Sequence, residues 1–346
     1  MKKKCFIYGL LVLMLLLSGV IGSAYWYLQN FAQKPIHLEQ PDQIFTLKRG
    51  TSVSHFVKQV EQQALVDDAY LIPYLMKLNP TLREIKSGTY VLSPTMTVEQ
   101  FLQLLVSGKE VQFAIQFVEG KQAKEWISAL EAAPDIERKL SGLSLAEISQ
   151  QLGIDTSIEG WLYPDTYHYT MNTSDVAILK RAYQKMQTAL QTVWDERDEG
   201  LPYKTPYELL IMASIIEKET GVDAERSKVS SVFVNRLKYK MQLQTDPTVI
   251  YGMGDSYNGR LLSKDLRNKD NPYNTYVIAG LPPTPITMPS LASLKAAAHP
   301  EQTNYLYFVA DGYGGHTFTT NYKHHKQAVD EYWRLMRERN KTNDTK

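Results

Sequence analysis

The 346-residue chain has one cysteine, Cys5, and it precedes a long apolar run. A lone thiol forms no internal disulfide and no thiolate cluster, and one placed before the run is not a lipidated cysteine at the end of a signal sequence. Charge of one sign is missing too, since 38 basic residues face 37 acidic ones. Setting aside Lys2, Lys3 and Lys4 leaves 35 against 37, a balance that does not suit nucleic acid as a partner. No repeat or low-complexity run stands out. His316, His324 and His325 lie near one another, but the chain lacks an H-E-x-x-H spacing, so neither a metal nor another cofactor is expected.

What is present begins with Lys2 to Lys4 and an uncharged stretch from Cys5 to Leu28, long enough to cross a hydrocarbon core. Tyr25, Trp26 and Tyr27 suit the far interface, and the lysines stay inside. The pattern predicts a single-pass anchor in a cytoplasmic membrane, with the N-terminus inside and the body on the outer side. Gly22-Ser-Ala24 resembles a signal-peptide cleavage site, but the apolar run continues beyond it, which favours a retained anchor. Residues 1–30 are read as tip and anchor, and 31–43 as a polar linker.

The body reads as α+β. Ile44 to Ser52 alternates like a strand, Val53 to Gln62 and Asp68 to Leu78 have helical spacing, Asn79-Pro80 is a stop, and Gly88 to Pro94 returns as a strand. This order over 44–110 resembles a LysM-type sugar-binding module, extended by a helix from Val98 to Val106; a purely structural small domain fits equally.

Residues 111–340 read as a larger mixed domain, 111–170 connecting and 171–340 its core, with a polar tail at 341–346. Helices are expected over Lys121 to Leu130, Ser144 to Leu152, Ser174 to Val193, Asp223 to Tyr239, Leu291 to Ala298 and Tyr322 to Arg339, with a short helical piece from Ser263 to Arg267. Asp223 is a candidate N-cap, and Asp246-Pro247 marks a turn. Tyr305 to Ala310 and His316 to Thr320 flank Gly312-Tyr-Gly-Gly315, a hairpin signal.

Leu209 to Ile216 is almost wholly apolar and predicts a helix buried on most sides. It ends in Glu217 and Glu219, and Gly221 fits a left-handed closing residue. The two acids lie roughly 200° apart on the helix and form no facing pair. Glu219 falls over Ile216, Ile215 and Met212, the drier face. Apolar surroundings and a helix C-terminus both favour its protonated form, as in a general acid working near neutral pH; a solvated carboxylate fits the same spacing. Glu217 suits a structural pair with Arg226 or Arg236. The 22 tyrosines and 5 tryptophans suit stacking on sugar rings, or the filling of strands and cores.

Several ordered blocks are more specific: E-G-W-L-Y-P-D-T-Y at 159–167, M-A-S-I-I-E-K-E-T at 212–220, V-F-V-N-R-L at 232–237, L-Q-T-D-P-T-V-I-Y-G at 243–252, Y-N-T-Y at 273–276, G-L-P-P at 280–283, and Y-L-Y-F-V-A at 305–310 with G-H-T-F at 315–318. Together they resemble the membrane-anchored endolytic murein transglycosylases, the YceG-like family. One departure is Thr284-Pro-Ile and Met288-Pro289, where the family often has Gly-Pro-Ile and Asn-Pro.

The resemblance places the catalytic acid on Glu219, the second Glu of E-K-E. It implies cleavage without water of the β-1,4 bond between N-acetylmuramic acid and N-acetylglucosamine in nascent peptidoglycan. It also implies 1,6-anhydro ends, a terminase role in glycan elongation, and peptidoglycan synthases as partners. Gln244, Asp246, Tyr251, Asn274 and Tyr276 are the candidate substrate contacts. A hydrolytic muramidase using Glu219 with Asp246 or Glu225, and a noncatalytic wall-binding or divisome scaffold, are the competing readings.

Overall fold

Nothing after the opening lysines interrupts a helix before Pro35, and α1 (Lys2–Ala32) runs unbroken in the computed structural model, which describes residues 2–343. Its side chains are exposed from Phe6 to Tyr27, and among the described residues it is the one helix long and apolar enough to cross a membrane. The end of α1 behaves differently. Phe31 and Ala32 are buried, as is Ile36, so the stretch read as a polar linker contributes three apolar side chains to the core that follows.

That core belongs to a smaller unit comprising the chain up to Phe113 together with His168–Asn172. Strand β1 (Ile44–Leu47) leads to α2 (Val53–Gln62), then through a 3-10 turn to α3 (Ile72–Leu78), and β2 (Gly88–Val91) returns before α4 (Val98–Ser107). The two strands pair antiparallel with Ile44 opposite Val91 and Leu47 opposite Gly88, which gives the expected strand, helix, helix, strand order. Phe45, Phe56 and Phe101 meet edge-on or tilted at 5.2–6.1 Å, the favoured geometry for aromatic quadrupoles. Ser52 caps α2 by accepting from the His55 N–H, and Thr97 with Gln100 forms a capping box on α4.

The larger unit comprises Ala114–Tyr167 and Thr173–Lys346. It takes up the chain within β3 (Phe113–Phe117) and continues through α5 (Ala123–Ala132), β4 (Ile136–Glu137), α6 (Leu145–Leu152), β5 (Asp165–Tyr169) and β6 (Thr173–Ser174) to α7 (Asp175–Asp195). Strand β3 pairs with β5, and β4 runs parallel to β6. Then come α8 (Pro206–Glu219), α9 (Arg226–Lys238), α10 (Asp246–Met253), α11 (Leu291–Ala298), the antiparallel hairpin β7 (Tyr307–Ala310) and β8 (His316–Thr319), and α12 (Tyr322–Asn343).

The hydrophobic run of α8 sets this architecture. Every residue from Leu209 to Ile216 is buried, because α7, α9, α10 and α11 pack around the helix. Ser214, the polar member of the run, donates to the Ile211 carbonyl at 2.7 Å and accepts from the Ile286 N–H at 3.0 Å, so no polar atom of its side chain is stranded. Truncating Met212 or Ile216 to alanine would cost about 2–5 kcal/mol of folding stability.

Three local expectations are corrected. Asp223 does not cap α9 through its side chain; a 3-10 turn precedes that helix, and Asp223 pairs with Arg226 instead. Ser263 to Arg267 is a set of turns, not a helix. Asp246-Pro247 opens α10, because a proline in the first helical turn removes an N–H that has no intrahelical acceptor. Of the polar tail, residues 344–346 lie outside the described residues, while α12 continues to Asn343.

Candidate active site

Glu219 is the last residue of α8. The helix stops because Thr220 turns to extended backbone, where its hydroxyl accepts from the Val222 N–H at 3.0 Å. Gly221 is not left-handed, so the expected glycine closure does not occur.

The two acids at this end meet different surroundings, but not in the way expected of a dry and a wet face. The Glu217 side chain is only 5% exposed. Its Oε2 accepts from the Ser290 backbone N–H at 2.9 Å and from the Ser290 hydroxyl at 2.6 Å, which fixes the N-terminus of α11. Its Oε1 lies 4.0 Å from Arg226, the structural partner expected; Arg236 is not one.

Glu219 instead faces a cleft of about 350 Å³. Its Oε1 accepts a hydrogen bond from the Thr245 hydroxyl. Thr245 is held by a buried hydroxyl network: its N–H donates to Thr275 Oγ1 at 3.0 Å, its carbonyl accepts from Thr248 Oγ1 at 2.8 Å, and those two hydroxyls are 2.8 Å apart. Just before it, Gln244 takes a left-handed φ of 51°, uncommon for a non-glycine residue, and its N–H donates to the Thr275 carbonyl at 3.1 Å.

Enclosure by protein pushes the Glu219 carboxyl up to about 7, and the charge of Asp246 adds to the rise. The Thr245 hydrogen bond, and the fields of His316 and Arg236, pull the other way. The residue as a whole is only partly buried, since its carboxyl forms part of a concave wall, reachable from the cleft yet surrounded by protein.

Of the five candidate contacts, three line the cleft: Gln244, Asp246 and Tyr276. The Tyr276 hydroxyl donates to Asp246 Oδ1 at 2.6 Å, and burial together with that carboxylate pushes the phenol well above its usual range. The other two lie elsewhere. Asn274 is fully buried, and its amide clamps a loop by donating to the carbonyls of Asp265, Leu266 and Asn268 at 2.8–3.2 Å. Tyr251 packs on Tyr273 and donates to Glu159 Oε2 at 3.3 Å.

Glu159, from the E-G-W-L-Y-P segment, is the second displaced carboxyl. It is 2% exposed and accepts from the Ala123 N–H at the start of α5 at 3.0 Å, and burial pushes it up to about 7 despite those donors. Gly160 beside it needs a φ of 82°, and a Cβ there would meet Pro285 at 2.5 Å. Glu159 does not line the cleft.

Thr245, Arg236, Tyr307, Tyr322 and His325 also line the cleft and were not among the sequence candidates. Buried Arg236 donates through Nε to the Leu306 carbonyl at 2.7 Å and through Nη1 to the Leu243 carbonyl at 3.0 Å and Gln244 Oε1 at 3.2 Å, joining α9 to the segments on either side of the cleft lining. Thr245 stood between two chosen residues in Q-T-D; only its hydroxyl could have marked it. The aromatic residues come from β7 and α12, about 90 to 105 positions from Glu219, a separation that periodicity does not bridge.

Comparison with known proteins agrees with this arrangement of blocks. An endolytic murein transglycosylase of Bacillus subtilis is 32% identical over 333 residues, covering 90% of this chain and 91% of that protein. Another, from Streptococcus pneumoniae, is 25% identical over 95% of this chain, which spans 65% of that longer protein. The crystal structure of a YceG-like protein from Listeria monocytogenes superposes with a TM-score of 0.52 and 28% identity, over 82% of this chain and 98% of that one. The model of the YceG-like family matches residues 45–331, and the chain belongs to that family.

Proposed function

We propose that the chain is a peptidoglycan lytic transglycosylase, a lyase that cuts glycan strands endolytically without consuming water. The observation that carries this reading is Glu219: a carboxyl pushed up to about 7, open to a cleft, with one oxygen held by a hydroxyl donor. The names of the Bacillus and Streptococcus relatives supply the substrate class.

Near neutral pH a substantial share of Glu219 holds its proton. With Oε1 occupied by Thr245, the proton sits on Oε2 and passes to the glycosidic oxygen between N-acetylmuramic acid and N-acetylglucosamine as the bond to C1 breaks. The positive charge that develops at C1 and the ring oxygen is stabilised by the Asp246 carboxylate, which Tyr276 orients. The C6 hydroxyl of the same sugar then attacks C1, and its proton returns to Glu219. The product end is a 1,6-anhydromuramyl unit. Thr245 steadies the glutamate anion between the two transfers.

In the cell α1 anchors the protein in the cytoplasmic membrane, N-terminus inside, with the enzymatic body outside beside nascent strands and the synthases that extend them. There it acts as a terminase of elongation. Mass spectrometry of digested sacculi tests the chemistry: anhydro ends that vanish with Glu219→Gln support it, and their absence from the parent digest refutes it.

Asp246 in the same cleft favours one second reading, hydrolysis with a carboxylate pair. Free reducing ends in the same digest would decide for it.

A further inference from the structure

The proton transfers leave one part of the cleft lining unused. The ring of Tyr307 lies nearly parallel to that of His325, with centroids 5.0 Å apart and 21° between planes, and Tyr322 closes the group at 6.0 and 6.4 Å from them. The guanidinium of Arg236 lies 5.0 Å from the Tyr307 ring centroid, a cation–π contact that steadies the ring. Tyr322 is 65% exposed at the very start of α12, a place where packing does not call for an aromatic residue.

His325 adds no charge to the group. Burial and the neighbouring Arg236 hold its imidazole below the usual range, and its enclosed Nδ1 meets no partner within the protein. Tyr307 and His325 therefore form a near-parallel pair, and the Tyr322 ring, tilted by 58° and 45° to them, makes the exposed edge of an aromatic surface with a polar fringe. Such a surface complements a pyranose, whose axial C–H groups pack on an aromatic face while its hydroxyl and acetamido groups turn outward to hydrogen-bond.

We propose that Tyr307, Tyr322 and His325 form a sugar-stacking subsite that takes a hexosamine ring beyond the bond being cut, with Tyr322 as its outer edge. The proposal rests on the transglycosylase reading and adds a length rule to it. A strand long enough to lie on Glu219 and on the platform together gains binding that a shorter fragment does not.

The test uses the full chain in detergent micelles with glycan strands of defined length. Tyr322→Ala is expected to raise KM for long strands about tenfold while leaving kcat near the parent value, to leave the shortest cleavable strands unchanged, and to be rescued by Tyr322→Phe. Equal KM in parent and variant at every length overturns the subsite, as does a rise that ignores length. Equilibrium binding of long strands to Glu219→Gln protein, with and without Tyr322→Ala, separates this proposal from the one beneath it. If the parent cuts nothing, the catalytic reading fails, and the binding arm still decides: about tenfold weaker binding supports the subsite, and unchanged binding refutes it.

Discussion

Two carboxyls of the larger unit, Glu219 and Glu159, are pushed to about the same value near 7, and in both burial is the leading cause. Their surroundings differ in the respect that matters for chemistry. Glu159 is sealed, with a helix N-terminus and a tyrosine hydroxyl as its donors. Glu219 has one donor and an open cleft. A displaced pKa therefore marks enclosure, and access to a substrate has to be read separately. Glu217, two residues from Glu219, completes the comparison: its side chain, 5% exposed, is spent on Ser290 and Arg226.

The largest effect should come from breaking the contrast at its catalytic end. Glu219→Gln is expected to lower kcat by about 10²–10⁴-fold, while Glu159→Gln leaves it close to the parent's, measured by anhydro-end release. Comparable losses in both variants would erase the distinction drawn here.

Next, Glu217→Ala should cost about 1–3 kcal/mol in urea unfolding, through the two hydrogen bonds lost from Ser290 at the start of α11, with little change in kcat. A kinetic defect without a stability defect would move Glu217 into the reaction.

Glu159→Gln sharpens the comparison through pH. The folded parent keeps a proton on Glu159 up to about 7, whereas the unfolded chain releases it near its ordinary value of 4.5. The parent thus loses stability as pH rises through that window, and glutamine does not. The variant should match the parent below pH 4.5 and exceed it by about 1–3 kcal/mol above pH 7, read from melting curves. Glu219→Gln should show the same sign with a smaller gain, since its carboxyl reaches water in the cleft.

The smallest effect concerns Thr245. In the parent, kcat/KM is expected to fall as pH rises through about 7, where Glu219 loses its proton. Thr245→Val removes the donor that stabilises the anion, so this limb should move to higher pH and kcat should drop roughly tenfold; Thr245→Ser should restore both. A limb that stays in place would show that Thr245 only packs.

Much of this fold was legible from local rules. The spans of α2 and α11 follow from apolar helical spacing, and the run from Leu209 to Ile216 announced the buried helix that everything else surrounds. Glu219 was likewise within reach as the last residue of that helix, and Gln244, Asp246 and Tyr276 as polar or aromatic groups on segments that follow it in the chain. Misreadings arose where one residue type serves two purposes. Asp-Pro opens a helix as readily as it makes a turn, and an asparagine in an aromatic loop clamps carbonyls as readily as it meets a sugar. Arg236 and the aromatic platform were out of reach because tertiary contacts alone bring them to the acid.

The wall contributed by β7 and α12 carries a consequence for the order of events. Ribosomes make a protein from its N-terminus, so Glu219 leaves the exit tunnel about a hundred residues before Tyr322 and His325 do. For that interval the acid exists without the wall that β7 and α12 add to its cleft. The cleft around Glu219 is therefore complete only once α12 has been synthesised.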